Sequence, residues 1–217
     1  MQTNQYRIPS LDGLRAISII IVILRHLLSQ KYFNPSLRYV PILFDGQFGV
    51  NVFFMISGFL ITKLLLKEEA SKGTIYIKNF YLKRILRIFP AYFFLLLVYA
   101  VLQYFKILMV SKESWLTALT FTKFLNGGTD WYTWHAWSLS VEEWFYLIWP
   151  IIFLNVKDNR QLMLLSIVVL VPIIKLLSAD GIITNISDLS LFTRADAIAI
   201  GCLFAINEQY ISEFVLR

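Results

Sequence analysis

The chain has 217 residues, 58% of them hydrophobic and only 16% charged, with a formal net charge of +6. A soluble domain carries about 25% charged residues, so the composition excludes an ordinary water-soluble enzyme and points to a polytopic membrane protein. A single cysteine, Cys202, rules out an intramolecular disulfide or a cysteine-rich metal site, and the basic residues flank apolar runs as topology requires, not as a nucleic-acid patch.

Six apolar windows predict an all-α transmembrane bundle of about six spans: residues 14–28, 50–66, 88–108, 141–156, 162–177 and 195–206. Several are shorter than the ~20 residues of a usual crossing, so flanking residues or neighbouring helices complete them. The first window follows a polar leader with Arg7 and lacks a small-residue cleavage pattern, and it reads as a retained helix.

That first helix carries Arg15, Arg25 and His26. An ionisable side chain inside a membrane helix is costly and marks a function or a polar contact between helices. Eleven residues make about three turns, so Arg15 and His26 share a face about 16 Å apart along the axis. Imidazole titrates near neutral pH and can serve as a general base towards a hydroxyl. The competing reading is an interhelical hydrogen bond that only holds the bundle together.

The second window contains Ser57-Gly58, which allows close backbone approach. Packing is the favoured role, since a serine nucleophile needs an adjacent base. The connection from residue 66 to 88 holds Lys67, Lys72, Lys78, Lys83, Arg84 and Arg87, and this places it, with the N-terminus, in the cytoplasm. Lys157 and Arg160 in the fourth connection agree. Arg84 and Arg87 at i and i+3 project from nearly one face and suit a phosphate or other anion, although basic residues also flank cytoplasmic helix ends for topological reasons alone.

The outer side then receives residues 30–48, 109–139 and 178–193. The first holds Pro35 and Pro41, and the last holds Asp180 and Asp188. The long middle loop predicts a short interfacial or re-entrant helix around residues 114–125, with Trp115, Phe121 and Phe124 at headgroup level. At the start of the fourth helix, Ser140 and Glu143 have capping-box spacing. Glu142, outside that cap, is the carboxylate favoured for orienting a histidine or binding sugar hydroxyls. In the last window Arg194 and Asp196 point to different neighbours, while Ala197, Gly201 and Ala205 form a small-residue packing stripe. Cys202 reads as a buried apolar residue. There is no linker, internal repeat or separate soluble domain, so residues 1–217 read as a single transmembrane domain.

Together these segments resemble the membrane-bound acyltransferase 3 family of bacterial cell-surface carbohydrate acylases. The matching residues are Leu11-Asp12-Gly13-Leu14-Arg15-Ala16 with His26, residues 49–62, Arg84-x-x-Arg87 before Pro90, residues 137–146, and Thr193-Arg194-Ala195-Asp196-Ala197 with Gly201. They occur in family order along nearly the whole chain. The family often has Asp where this chain has Asn51, and Gln where it has Trp144.

The resemblance implies an integral enzyme of the bacterial cytoplasmic membrane with its N-terminus inside. It would take an acyl group, usually acetyl, from acyl-CoA and pass it to a hydroxyl of lipopolysaccharide, peptidoglycan or exopolysaccharide. It implies no metal and no bound cofactor, acyl-CoA being a substrate. By the same resemblance His26 is catalytic, and Arg15, Arg84 and Arg87 handle the donor. Glu142 is expected to assist catalysis, and Arg194 and Asp196 to contact substrate. The family fold has about ten helices, so these six spans are expected to be its N-terminal part, C-terminally incomplete. The alternatives are a proton-coupled transporter and an inactive truncated fragment.

Overall fold

The computed structural model describes residues 9–28, 46–125, 130–179 and 193–208. These form eight helices: α1 (Pro9–Leu28), α2 (Gly46–Lys72), α3 (Ile77–Tyr104), α4 (Lys112–Leu119), α5 (Trp131–Trp134), α6 (Ala136–Asn155), α7 (Arg160–Ala179) and α8 (Ala195–Ile206). Arg7, Pro35, Pro41, Asp180 and Asp188 lie outside the described residues.

Among the described residues, three helical stretches are long and apolar enough to cross a bilayer: Gly46–Lys72, Ile77–Tyr104 and Arg160–Ser178. The other three predicted spans are helical too, but differ in a physical respect. Helix α1 carries Asp12, Arg15 and Arg25, and α6 carries Glu142 and Glu143. Helix α8 has 12 residues, about 18 Å of rise against a hydrocarbon core of about 30 Å.

Helix α3 starts well before residue 88, so the basic stretch from Lys78 to Arg87 is its opening turns. The connection from α2 shrinks to residues 73–76. Gly73 adopts φ +71° there, a left-handed conformation that a side chain resists. Its N–H closes the last turn on the Glu69 carbonyl at 2.8 Å.

The chain divides into two packing units. The first contains described residues of Met1–Leu64, Gln161–Pro172 and Arg194–Arg217, and the second those of Leu65–Arg160 and Ile173–Thr193.

In the first unit α1 and α8 each pack on α2 through glycine. A Cβ at Gly49 would lie 2.8 Å from the Ser18 carbonyl oxygen of α1. At Gly58 it would lie 2.2 Å from the Ile198 oxygen of α8, and at Gly201 only 1.9 Å from the Met55 oxygen of α2. Helix α8 thus lies against α2 with backbones touching, as the small-residue stripe predicts. Cys202 is buried in this contact, its Sγ 3.6 Å from the Gly58 carbonyl oxygen.

In the second unit α3 and α6 pack together, and a hairpin formed by α4 and the turn after it runs down α3. Ser111 caps α4 by accepting from the Ser114 N–H at 3.2 Å. Trp115 donates to Gln103 at 2.9 Å, and Tyr92 donates to the Ala118 carbonyl at 2.9 Å. The turn ends with Phe121 at φ +53°, its ring 5.4 Å from that of Phe89 and 4.7 Å from that of Tyr92. From Gln103 back to Phe89 is about 21 Å along α3, so the segment expected as a short interfacial or re-entrant helix folds back along α3, its helical part being Lys112–Leu119. Trp144 of α6 fastens the turn by donating to the Phe121 carbonyl at 3.0 Å.

At the far end of α6, Arg160 closes the unit. It donates to both Glu69 carboxylate oxygens at 2.8 and 3.0 Å and to the Phe153 carbonyl at 2.7 Å. This paired geometry is the strong form of an arginine–carboxylate contact.

Asp130 ties the open end of the hairpin. It accepts from the Ser111 N–H at 2.9 Å and the Ser111 hydroxyl at 3.0 Å. A hydrogen bond from Ser114, those from Ser111 and the Lys123 charge hold its carboxyl below the usual carboxylate range, against the opposing effect of burial. A carboxyl lowered on folding stabilises above its unfolded value, near 3.8, and loses that contribution as pH falls through the folded value. Hydrogen exchange of the α4 amides is therefore expected to accelerate, beyond the intrinsic rate, as pH drops below about 4. Asp130→Asn is expected to exchange faster at neutral pH and to lack this acid dependence.

Candidate functional site

The sequence-predicted residues fall into both units: Arg15, His26, Arg194 and Asp196 in the first, Arg84, Arg87 and Glu142 in the second.

In the first unit α1 is one uninterrupted helix from Pro9 to Leu28, so the shared face of Arg15 and His26 is preserved. Arg15 docks on α2, where its Nη2 donates to Ser57 Oγ at 3.1 Å and its guanidinium lies 5.2 Å from the centroid of the Phe53 ring. Its Nε is buried without a hydrogen-bond partner. Ser57 is thus a partner of Arg15 as well as a packing residue.

His26 is exposed at the other end of α1. Its neighbour Arg25 lies against Gly46, where an added Cβ would meet Arg25 Cγ at 3.1 Å. The first turns of α2 also receive α8. Arg194 Nη1 donates to Asn51 Oδ1 at 3.0 Å, and Nη2 donates to Gln47. The end of α1 that bears His26 and the start of α8 that bears Arg194 therefore meet the same end of α2. Asp196 accepts from the Ala197 N–H of its own helix at 2.9 Å.

In the second unit Arg84 and Arg87 separate. Arg84 is half-buried, with its guanidinium 5.5 Å from the Phe80 ring centroid and 5.4 Å from that of Tyr146. Arg87 is exposed. Positions three apart differ by about 60° around the axis, enough to turn one towards α6 and leave the other outside.

Glu142 is buried at 5% exposure and accepts from the Tyr146 hydroxyl at 3.1 Å. The expected capping box is absent. Helix α6 begins at Ala136, and Ser140 lies within it, donating to the Ala136 carbonyl at 2.9 Å. Glu143 does not cap, and its Oε1 is buried without a partner. The choice of Glu142 now rests on its burial and on Tyr146.

Gln47, Phe53, Phe80 and Tyr146 contact the candidate residues but carry no signal of chemistry in the sequence. Of these, Tyr146 lies nearest to a sequence pattern, because it follows Glu142 by four residues on a helix.

Comparison with known proteins gives a consistent result. The family model described as an acyltransferase domain, of the acyltransferase 3 type, matches residues 8–216. The chain is 31% identical over 176 residues to the peptidoglycan O-acetyltransferase OatA of Listeria monocytogenes, covering 72% of this chain and 26% of that protein. It is 30% identical over 218 residues to the O-acetyltransferase OatA of Staphylococcus aureus, covering 91% of this chain and 34% of that protein. The chain thus spans only a quarter to a third of the relatives it matches. No solved structure matches it.

Proposed function

The chain belongs to the acyltransferase 3 family, and from this premise we propose that it transfers an acetyl group from acetyl-CoA to a hydroxyl of a cell-envelope carbohydrate. Peptidoglycan is the first acceptor to test, because the Listeria relative is named for it. The observation that carries the proposal is the family match over residues 8–216, which takes in every candidate residue.

His26 is assigned the role of general base. It takes the proton of the attacking hydroxyl as the sugar oxygen bonds to the thioester carbonyl carbon. The C–S bond then breaks, and the imidazolium returns the proton to the leaving thiolate, giving an O-acetyl ester and free CoA. Arg87 and Arg84 are assigned to the phosphates of the donor, and Arg15 to its pantetheine arm. Glu142 assists catalysis, and Arg194 with Asp196 serves substrate binding at the His26 end of α2.

The whole described chain is assigned to one domain of a larger bundle of about ten helices, six of them spans here. It is placed in the bacterial cytoplasmic membrane with the N-terminus inside, a reading supported by the basic flanks of α2, α3 and α7.

Membranes containing the intact protein are expected to release CoA from acetyl-CoA only when glycan acceptor is present. Solute flux without CoA release would point to a transporter instead.

A further inference from the structure

One side chain of the second unit touches two candidate residues that come from different helices. The ring of Tyr146 on α6 lies 5.4 Å from the Arg84 guanidinium of α3, and its hydroxyl donates to Glu142 at 3.1 Å. Tyr146 is 4% exposed and Glu142 5%, so this contact is shielded from competing water, where hydrogen bonds and cation–ring contacts count most. A second bond sets the register beside it: the Tyr81 hydroxyl donates to the Leu147 carbonyl at 2.6 Å. Helices α3 and α6 are thus pinned next to the position where Tyr146 meets Arg84.

We infer that Tyr146 is a positioning residue for acyl transfer: its ring orients the Arg84 cation and its hydroxyl orients the Glu142 carboxyl, so that both groups are set by one rigid side chain. The inference rests on the acyl-transfer reading above and adds a residue to it. A tyrosine suits the task because its ring and hydroxyl move together on only two side-chain torsions, whereas a longer polar residue would let the two contacts vary independently.

The test compares Tyr146→Phe with Tyr146→Leu in the intact protein in native membranes. The phenylalanine keeps the ring over Arg84 and removes only the donor to Glu142. It is expected to lower kcat about tenfold, the loss of one buried hydrogen bond, and to leave KM for acetyl-CoA within about twofold. The leucine removes both contacts and is expected to raise KM for acetyl-CoA several-fold as well. A packing role alone predicts a phenylalanine variant with wild-type kcat, and that result would overturn the inference.

Infrared spectra give a readout independent of turnover. The carboxyl band that disappears in Glu142→Gln is expected to shift in Tyr146→Phe, and an unshifted band would also overturn the inference. Wild-type membranes that release no CoA while the band still shifts would defeat the acyl-transfer reading, and with it any catalytic purpose for Tyr146. The contact between Tyr146 and Glu142 would stand.

Discussion

Replacing His26 with alanine is expected to lower acetyl transfer at least a hundredfold, within the range of about 10²–10⁴ set by removing a general base. The helix that carries it is not expected to move. His26 is exposed on α1, and alanine is the best helix former. Helix α1 is also held by Arg15 on Ser57 and Phe53 and by the close contact of Gly49 with Ser18. Loss of activity with unchanged membrane insertion therefore isolates chemistry from folding. Ester-linked acetate released from the glycan by mild base, normalised to membrane-inserted protein, measures it.

The second large effect concerns stability. Gly201→Val would place a Cβ 1.9 Å from the Met55 carbonyl oxygen and 2.9 Å from the Phe59 nitrogen. Both atoms belong to the α2 backbone and cannot rotate aside. Helix α8 has to withdraw from α2, which costs about 3 kcal/mol or more, the upper end of overpacking. The same withdrawal breaks the contact of Cys202 with the Gly58 carbonyl and loosens Arg194 from Asn51 and Gln47. Thermal unfolding in detergent is expected to begin well below the wild-type temperature. Gly13→Ala is the control. Nothing lies within 4 Å of a Cβ at that position, and the exchange removes the helix penalty of glycine, about 1 kcal/mol.

Helix positions and the small-residue packing surfaces of α2 and α8 were legible in the sequence because each rests on a short-range pattern; that these two surfaces face each other was not. Apolar runs mark helices, and small residues four apart mark a backbone contact, here at Ala197, Gly201 and Ala205. The early start of α3 was hidden because hydropathy sees only the apolar part of a helix. The charged turns from Lys78 to Arg87 are helical all the same. Ser140 and Glu143 imitated a cap because the pattern recurs inside helices. Only the observed start at Ala136 shows that the terminus lies elsewhere.

Of the candidate site, the first unit was the more legible half. Arg194 was expected to reach a neighbouring helix and does so at Asn51. Where the family often has an aspartate, this chain has a neutral asparagine that accepts a hydrogen bond from that arginine. The other departure also has a structural role: Trp144 replaces an expected glutamine and anchors the hairpin at Phe121. Neither role follows from local sequence, because each depends on a residue over twenty positions away. Tyr146 was overlooked for a similar reason. Its link to Glu142 is local, but its contact with Arg84 exists only once α3 and α6 pack.

The central claim is that the chain moves acetyl from CoA to an envelope carbohydrate through His26. Its most direct test supplies ¹³C-acetyl-CoA to membranes bearing the intact protein, then analyses the glycan by mass spectrometry. Wild-type protein is expected to leave ¹³C-acetyl ester on sugar hydroxyls, and His26→Ala almost none. Equal labelling by the two proteins, or labelled acetyl-CoA left intact by wild type in the presence of acceptor, would contradict it.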